Sequence, residues 1–172
     1  DIGIQIRKIL LNQKNQSLVQ ESEMLLYLAD RIQHLKEFIL PALEKGALVL
    51  CDRFHDSTLA YQGFGRGLDL KLIRSIEEKA ITPHAPFLTF LLDIEPKLAL
   101  KRTEEKYAKR NQQDRLEQES SDFFERIKRG YQQLAEASPD RFVCLDGSKS
   151  KEQIHQQIIE TLETRLNERK SF

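Results

Sequence analysis

Residues with the chemistry of an anion-binding site follow directly on a short apolar run. Asp52 and Arg53 come immediately after Cys51 and open a polar stretch. A guanidinium at the carboxyl end of a buried strand can bind a phosphate group through two parallel hydrogen bonds. Asp52 can steady that arginine or face a hydrated Mg²⁺ ion. The alternative is an internal ion pair between the two side chains, and the spacing alone leaves both interpretations open.

A second pair of residues suited to nucleotide binding lies on a predicted helix. Tyr27 and Arg31 are four positions apart, so their side chains share one face of that helix. An aromatic ring beside a guanidinium can stack on a nucleobase and hydrogen-bond its edge. The alternative interpretation places the tyrosine in the core and lets the arginine reach into water.

Three of the seven glycines lie at alternate positions in the range 63–67. Their spacing does not match the phosphate-binding pattern GxGxxG, and they follow a helical stretch instead of opening one. We interpret them as a turn scaffold that orients Tyr61, Gln62 and Arg66. The four histidines have no metal-ligand spacing, and no serine or cysteine triad has a local signature. Zinc and triad chemistry are therefore not expected.

Three apolar runs predict the strands that position these residues. They occupy 47–51, 87–92 and 142–145, and none alternates with polar residues, which is typical of strands covered on both faces. Each run is followed by a carboxylate, and ligands bind at the carboxyl ends of parallel strands. Helices are expected at 2–12, 18–45 (broken near Pro41), 69–80, 96–108, 121–137 and 151–168, with Ser121 and Ser150 as N-caps. Strands that alternate with long helices predict an α/β fold with a parallel sheet.

Composition excludes several classes of protein. The 172 residues include 27 basic and 27 acidic side chains, a balance that argues against a general nucleic-acid binder or a membrane-surface protein. No apolar run has the length of a membrane span, and the N-terminus has no signal-peptide pattern. Cys51 and Cys144 lie within apolar runs and are expected to be buried thiols. A cytoplasmic protein of one domain is the expectation.

The segment 101–119 is almost entirely polar and stands apart from the rest of the chain. A solvated helical hairpin is the ordinary interpretation of such a charge run. The functional interpretation is a mobile lid that carries arginines.

Several segments, in order along the chain, resemble those of bacterial thymidylate kinases, which are nucleoside monophosphate kinases of the P-loop superfamily. They are Leu-Leu-Tyr-Leu-Ala-Asp-Arg-Ile-Gln-His at 25–34, Asp-Arg-Phe at 52–54, Ser-Thr-Leu-Ala-Tyr-Gln-Gly at 57–63, Gly-Arg-Gly at 65–67, Leu-Leu-Asp at 91–93, Asp-Arg-Leu-Glu-Gln-Glu at 114–119, Asp-Phe-Phe at 122–124 and Gly-Tyr at 130–131. The resemblance implies a three-layer αβα fold with a parallel sheet. It also implies one domain over 1–172, with the lid at about 101–119.

The resemblance implies an acceptor site for dTMP. By family resemblance, Tyr27 stacks on thymine, Arg31 hydrogen-bonds the base, and Arg53 binds the monophosphate. Thr58 falls where a polar side chain contacts the base, and Tyr61 falls where a ring crowds the 2′ position of the sugar. Two further residues complete the implied acceptor set, Ser57 and Gln62.

The resemblance also implies in-line transfer of the γ-phosphoryl group of ATP to dTMP, with Mg²⁺ bridging the ATP phosphates. Arg110 and Arg115 would close over those phosphates and act with Arg53 as catalytic residues. Arg102 would lie near the adenine, and Asp52 would face the metal. A homodimer is expected. The alternatives are another deoxynucleotide or nucleoside monophosphate kinase, and a non-catalytic nucleotide-binding paralogue.

One part of the family pattern is not present in these 172 residues. No G-x-x-x-x-G-K-[ST] sequence occurs, and the first strand and Walker A loop of the family would precede Asp1. The expectation is therefore a chain whose phosphoryl transfer is crippled, although most of its acceptor-site residues are present.

Overall fold

The computed structural model describes residues 2–107 and 115–170. Over these residues the chain is mostly helical, and its two strands alternate with long helices. The helices are α1 (Ile2–Leu11), α2 (Gln20–His34), α3 (Leu40–Glu44), α4 (His55–Thr58), α5 (Leu70–Ala80), α6 (Pro96–Tyr107), α7 (Ser121–Ala137) and α8 (Lys151–Lys170), with π-helical turns at Leu35–Ile39 and Leu59–Gly65 and 3₁₀ turns at Thr82–His84 and Leu116–Gln118. The strands are β1 (Thr89–Asp93) and β2 (Phe142–Asp146).

The two strands pair in parallel, from Thr89 opposite Phe142 to Asp93 opposite Asp146. Parallel strands need a crossover connection, and α6 and α7 provide it between β1 and β2. This pairing agrees with the α/β prediction. It also brings the carboxylates of Asp93 and Asp146 to the same end of the sheet, as the sequence predicted.

The third predicted strand, at 47–51, is wrong for the described residues. The segment is not assigned to a strand and makes no ladder with β1 or β2. Leu48 is 60% exposed and Leu50 is 80% exposed. An extended segment becomes a strand only when a neighbour accepts and donates its backbone hydrogen bonds, and no described strand lies alongside 47–51 to do so.

The prediction that all strands are covered on both faces is also wrong for the described residues. Leu92 of β1 is half exposed. Both cysteines, predicted as buried thiols, are exposed: Cys144 lies on β2, and Cys51 ends the unpaired segment 47–51. An apolar run indicates only that its residues are suited to burial. A face of a strand is buried only where another layer of the structure covers it.

The long helical stretch predicted at 18–45 is interrupted, but not at the proline itself. The π-helical turn Leu35–Ile39 joins α2 to α3, and Pro41 lies in the first turn of α3. Proline has no N–H group, and its ring clashes with the carbonyl oxygen four residues earlier. A wider π turn just before the proline relieves that clash while the chain keeps its helical direction.

Helix α7 packs along the segment that follows Asp52 and Arg53. We call residues 55–65, which comprise α4 and the π-helical turn Leu59–Gly65, the site helix. Gly65 permits the close approach, because a Cβ atom there would lie 2.7 Å from Cε2 of Phe123. The N-cap of α7 is Ser120, whose hydroxyl accepts from the N–H of Phe123, and not the predicted Ser121. Ser150 caps α8 as predicted, accepting from the N–H of Gln153 at 3.2 Å.

The core lies between α2, the site helix, α5 and α7. Its buried members include Met24, Leu28, Leu35, Leu59, Ile73, Phe123 and Ile127. Among the described helices, none combines the length and the apolar character that a membrane span requires.

Candidate active site

Arg31 of α2 is joined to the site helix by the hydroxyl of Thr58. The Nε–H of Arg31 donates to Oγ1 of Thr58 at 2.7 Å, and Nη1 donates to the carbonyl oxygen of Arg53 at 3.1 Å. Thr58 has no exposed surface. The predicted base-binding arginine is therefore held in one orientation beside the predicted phosphate-binding arginine.

A second polar contact joins the same two helices two turns earlier on α2. The carboxylate of Glu23 accepts from Nε2 of Gln62 at 3.0 Å, and both residues are buried with 1% of their surface exposed. Glu23, Tyr27 and Arg31 follow one another at four-residue intervals and share a face of α2. Tyr27 thus lies between the Glu23–Gln62 contact and the Arg31–Thr58 contact.

Arg53 has a backbone conformation that few residues other than glycine adopt. Its φ angle is 63°, in the left-handed region. The side chain is exposed, and its guanidinium carbon lies 4.9 Å from the centre of the Tyr61 ring. Such a conformation costs free energy and persists where the surrounding structure enforces it, often at binding sites. Arg31 helps to enforce this conformation of Arg53, because its Nη1 donates to the carbonyl oxygen of that residue.

A cleft of about 270 Å³ opens beside Arg53. Asp52, Arg31 and Arg53 line it together with Arg7 of α1. Arg7 lies 3.9 Å from the carboxylate of Asp30 and was not singled out from the sequence. A lone basic residue in a helical pattern carries no local signal of a site, so only the packing of α1 against α2 reveals it.

The structure divides the predicted acceptor residues between the cleft and the helix interface. Arg31 and Arg53 line the cleft, together with Asp52, the predicted metal residue. The remaining predicted residues lie along α2 and the site helix and are not among its lining residues: Tyr27, Ser57, Thr58, Tyr61 and Gln62. The two groups meet at Arg31, which belongs to both.

Ser57 is held by Tyr131, which no local pattern in the sequence marks as a site residue. Its Oγ lies 2.7 Å from the phenolic oxygen of Tyr131 on α7, a hydrogen-bond distance. Burial raises the pKa of the Tyr131 phenol, so the group remains a neutral hydroxyl. The contact spans 74 positions of sequence, which no local pattern could have indicated.

An ion pair between Asp56 and Arg141 holds the first turn of the site helix in place. Arg141 donates to both carboxylate oxygens of Asp56, at 2.6 and 2.7 Å. His55, also buried, lies 3.7 Å from that carboxylate and 3.9 Å from the carboxylate of Glu77. These contacts join the first turn of the site helix to α5 and to the residue that precedes β2.

The predicted ATP-side residues make contacts within the protein. Arg102 donates to the carbonyl oxygens of Gly147 at 2.7 Å and Ser148 at 3.0 Å. Arg115 donates to the carboxylate of Glu23 and to the carbonyl oxygen of Leu10. Arg110 lies outside the described residues. The described residues contain no group of three or more acidic, histidine or cysteine side chains that could hold a metal.

The sequence model of the family described as thymidylate kinase matches residues 1–158. The chain belongs to the thymidylate kinase family. A thymidylate kinase of Desulfovibrio desulfuricans is 43% identical over 171 residues, which are 98% of this chain and 79% of that protein. A thymidylate kinase of Halothermothrix orenii is 47% identical over 157 residues, 91% of this chain and 74% of that protein.

A solved structure supports the same assignment. The crystal structure of thymidylate kinase from Ehrlichia chaffeensis matches with a TM-score of 0.70 and 28% identity, covering 92% of this chain and 72% of that one. The predicted thymidylate kinase family, its α/β fold and its enzyme class, a dTMP kinase, are therefore confirmed. The roles of individual site residues stay predictions.

Proposed function

We propose that this chain binds dTMP between α2 and the site helix and presents its phosphate for phosphorylation by ATP, giving dTDP and ADP. The observation that carries the proposal is the Arg31–Thr58 contact, because it fixes a base-binding arginine immediately beside Arg53. A phosphoryl-transfer enzyme acts mainly by positioning its substrates and by stabilising negative charge. Two arginines held at one end of a helix interface supply both.

Base recognition follows from the positions along α2. Tyr27 lies between the two polar contacts and supplies the ring on which thymine stacks. Arg31 uses Nε and Nη1 within the protein. Its remaining NH₂ group can donate only, which suits a carbonyl oxygen of thymine. Tyr61 closes the sugar side beside Arg53 and crowds the 2′ position, and Ser57 and Gln62 complete the pocket.

The phosphate of dTMP belongs in the cleft beside Arg53. Arg7, Arg31 and Arg53 line that cleft together with the carboxylates of Asp30, Glu37 and Asp52, and the guanidinium groups are the donors that suit a phosphate. In the proposed reaction an oxygen of the bound monophosphate attacks the γ-phosphorus of ATP in line, and ADP leaves; since no G-x-x-x-x-G-K-[ST] sequence occurs in these 172 residues, we expect them to supply the acceptor site but to transfer the phosphoryl group weakly. Arg53 holds the attacking phosphate, and Arg110 and Arg115 offset the charge that develops on the transferred group, with Arg102 beside the adenine.

One or two carboxylates suffice for a Mg²⁺ ion that is held mostly by phosphates and water, and Asp52 is the one of the three in the cleft lining that directly precedes Arg53. Asp52 is exposed and lines the cleft, so it would hold the ion through its carboxylate. Bound there, Mg²⁺ would neutralise part of the phosphate charge.

We also propose that the chain forms a homodimer in the cytoplasm, where its nucleotide substrates occur. Leu25, Phe38 and Leu43, from the region 18–45, are each about half exposed. Large apolar side chains left on a surface are typical of association sites. Sedimentation should therefore give twice the mass of the chain.

Calorimetric titration of the 172-residue chain with dTMP tests the acceptor site directly. The proposal expects dTMP to bind more tightly than dUMP, the TMP ribonucleotide or AMP. Arg53→Met should weaken dTMP binding at least about tenfold, since a charge-assisted bidentate contact is lost. Arg74→Met is the matched control, because Arg74 is an exposed arginine on α5, outside the cleft. Equal binding by both variants would contradict the proposal.

A further inference from the structure

Glu23 is a buried carboxylate at the centre of a polar cluster. Besides Gln62, it accepts from Nε and Nη2 of Arg66, each at 3.2 Å, and from Arg115. Arg66 is also bound by Glu119 at 2.5 Å. Two arginines and two glutamates therefore balance in charge, which is the condition for keeping such groups out of water.

Glu23 remains ionised in this cluster. Burial alone would raise the pKa of its carboxyl group, but the hydrogen bonds from Arg66, Gln62 and Arg115 outweigh burial and hold the pKa below its usual range. An ionised carboxylate has acceptors only. The side of the Gln62 amide that faces Glu23 must therefore be the NH₂ group, and the carbonyl oxygen must face away from Glu23.

The amide of a glutamine can otherwise turn over and present either a donor or an acceptor to a ligand. Gln62 lies one helical turn after Thr58, and both residues face α2, as their contacts with Glu23 and Arg31 require. Tyr27, the proposed stacking residue, lies between these contacts along α2. Gln62 is thus held on the same stretch of the interface between α2 and the site helix as the proposed base site, with its amide nitrogen turned to Glu23.

We propose that Glu23 is a positioning residue for base selection: by fixing the amide of Gln62, it presents a hydrogen-bond acceptor to the base. This inference rests on the proposed dTMP site. Thymine carries an N–H donor at N3, which a fixed carbonyl oxygen binds. Cytosine carries a lone pair at the same position, which that oxygen repels. The Glu23–Gln62 contact therefore selects thymine over cytosine.

Glu23→Gln tests the inference, since a neutral amide can accept or donate and no longer fixes Gln62. We expect the ratio of dTMP affinity to dCMP affinity, measured by calorimetry, to fall about tenfold. Some discrimination should remain because Arg31 donates only. Glu119→Gln is the matched control: it removes the same charge from the same cluster without touching Gln62, and should leave the ratio within about twofold of wild type.

The outcomes separate the inference from the proposed function. A wild-type chain that does not prefer dTMP to dCMP contradicts the function itself. A wild-type preference that Glu23→Gln leaves unchanged, or that Glu119→Gln lowers as much, overturns the role of Glu23.

A measurement on the wild-type chain covers the case in which Glu23→Gln does not fold. With glutamine labelled by ¹⁵N, the side-chain NH₂ of Gln62 should exchange slowly with solvent, with or without dTMP. Gln62→Met identifies the signal by its loss. Fast exchange of that NH₂ group in the folded wild-type chain would refute the inference.

Discussion

Replacing Thr58 by valine tests whether the site helix orients Arg31. Valine has nearly the shape of threonine, so no cavity forms, but the acceptor for Nε of Arg31 disappears. The bond that is lost is 2.7 Å long and ends on a hydroxyl with no exposed surface. Solvent therefore replaces it poorly, and Arg31 is left with a donor that has lost its acceptor.

The magnitude follows from the kind of bond. A hydrogen bond to a charged group contributes about 1.5–3 kcal/mol, and a buried group left without its partner costs a similar amount. We expect the free energy of unfolding to fall by about 2 kcal/mol. Because Arg31 also binds the carbonyl oxygen of Arg53, we expect dTMP affinity to fall about tenfold, equivalent to about 1.4 kcal/mol.

Urea unfolding measures the free energy of unfolding, and calorimetric titration measures the affinity for dTMP. Thr58→Ser is the matched control, since it keeps the hydroxyl and removes a buried methyl group. It should cost about 1 kcal/mol of stability but leave dTMP affinity near that of wild type. The affinity thus separates the loss of the hydrogen bond from the loss of packing.

A double-mutant cycle with Arg31→Met completes the test. If the bond matters, the two substitutions together cost less than the sum of the single ones, with a coupling of about 1 kcal/mol or more. Coupling near zero, or a Thr58→Val chain that binds dTMP as wild type does, would refute the reasoning.

Three further predictions concern the supports of the site. Asp56→Asn removes half of a buried bidentate pair with Arg141 and should lower the free energy of unfolding by about 3 kcal/mol; a loss below about 1 kcal/mol in urea would contradict it. Gly130→Ala would place a Cβ atom 2.8 Å from the Cβ atom of Phe64, which cannot move away without its backbone. The cost of this overpacking should exceed the gain in helix propensity and lower the melting temperature by a few degrees. The folded chain holds the pKa of the Glu23 carboxyl below its unfolded value of about 4.5, so the stability that the ionised carboxylate contributes is complete above about pH 4.5 and is lost as the pH falls through the lower folded value. Below pH 4.5 the free energy of unfolding should therefore fall faster for wild type than for Glu23→Gln. Parallel pH profiles would be evidence against the charged cluster.

Local patterns in the sequence predicted most elements correctly. β1 and β2 lie where apolar runs end in a carboxylate, and α5, α7 and α8 lie where the helical period is clear. These features depend on residues within one or two turns of each other, so the sequence contains the necessary information. The site segments were equally visible, because the family pattern is carried by short stretches such as Asp52-Arg53-Phe54.

Contacts between distant segments were not predictable in this way. Glu23 was not singled out as a site residue, yet it binds Gln62 across 39 positions and Arg115 across 92. A glutamate near the start of a helix has the ordinary interpretation of a solvated residue, and only packing reveals that this one is buried. The segment 47–51 gave the opposite error, since its apolar residues suit a strand but no described neighbour pairs with it.

The sequence by itself determined the family, the alternation of helices and strands, and the residue types available for binding a nucleotide. The tertiary structure decided which of those residues act together: Arg31 with Thr58 and the Arg53 backbone, and Glu23 with Gln62. The physical reason is the range of the interactions. Periodicity is set by neighbours along the chain, whereas a buried charge or hydrogen bond depends on which helices pack together and therefore on the whole fold.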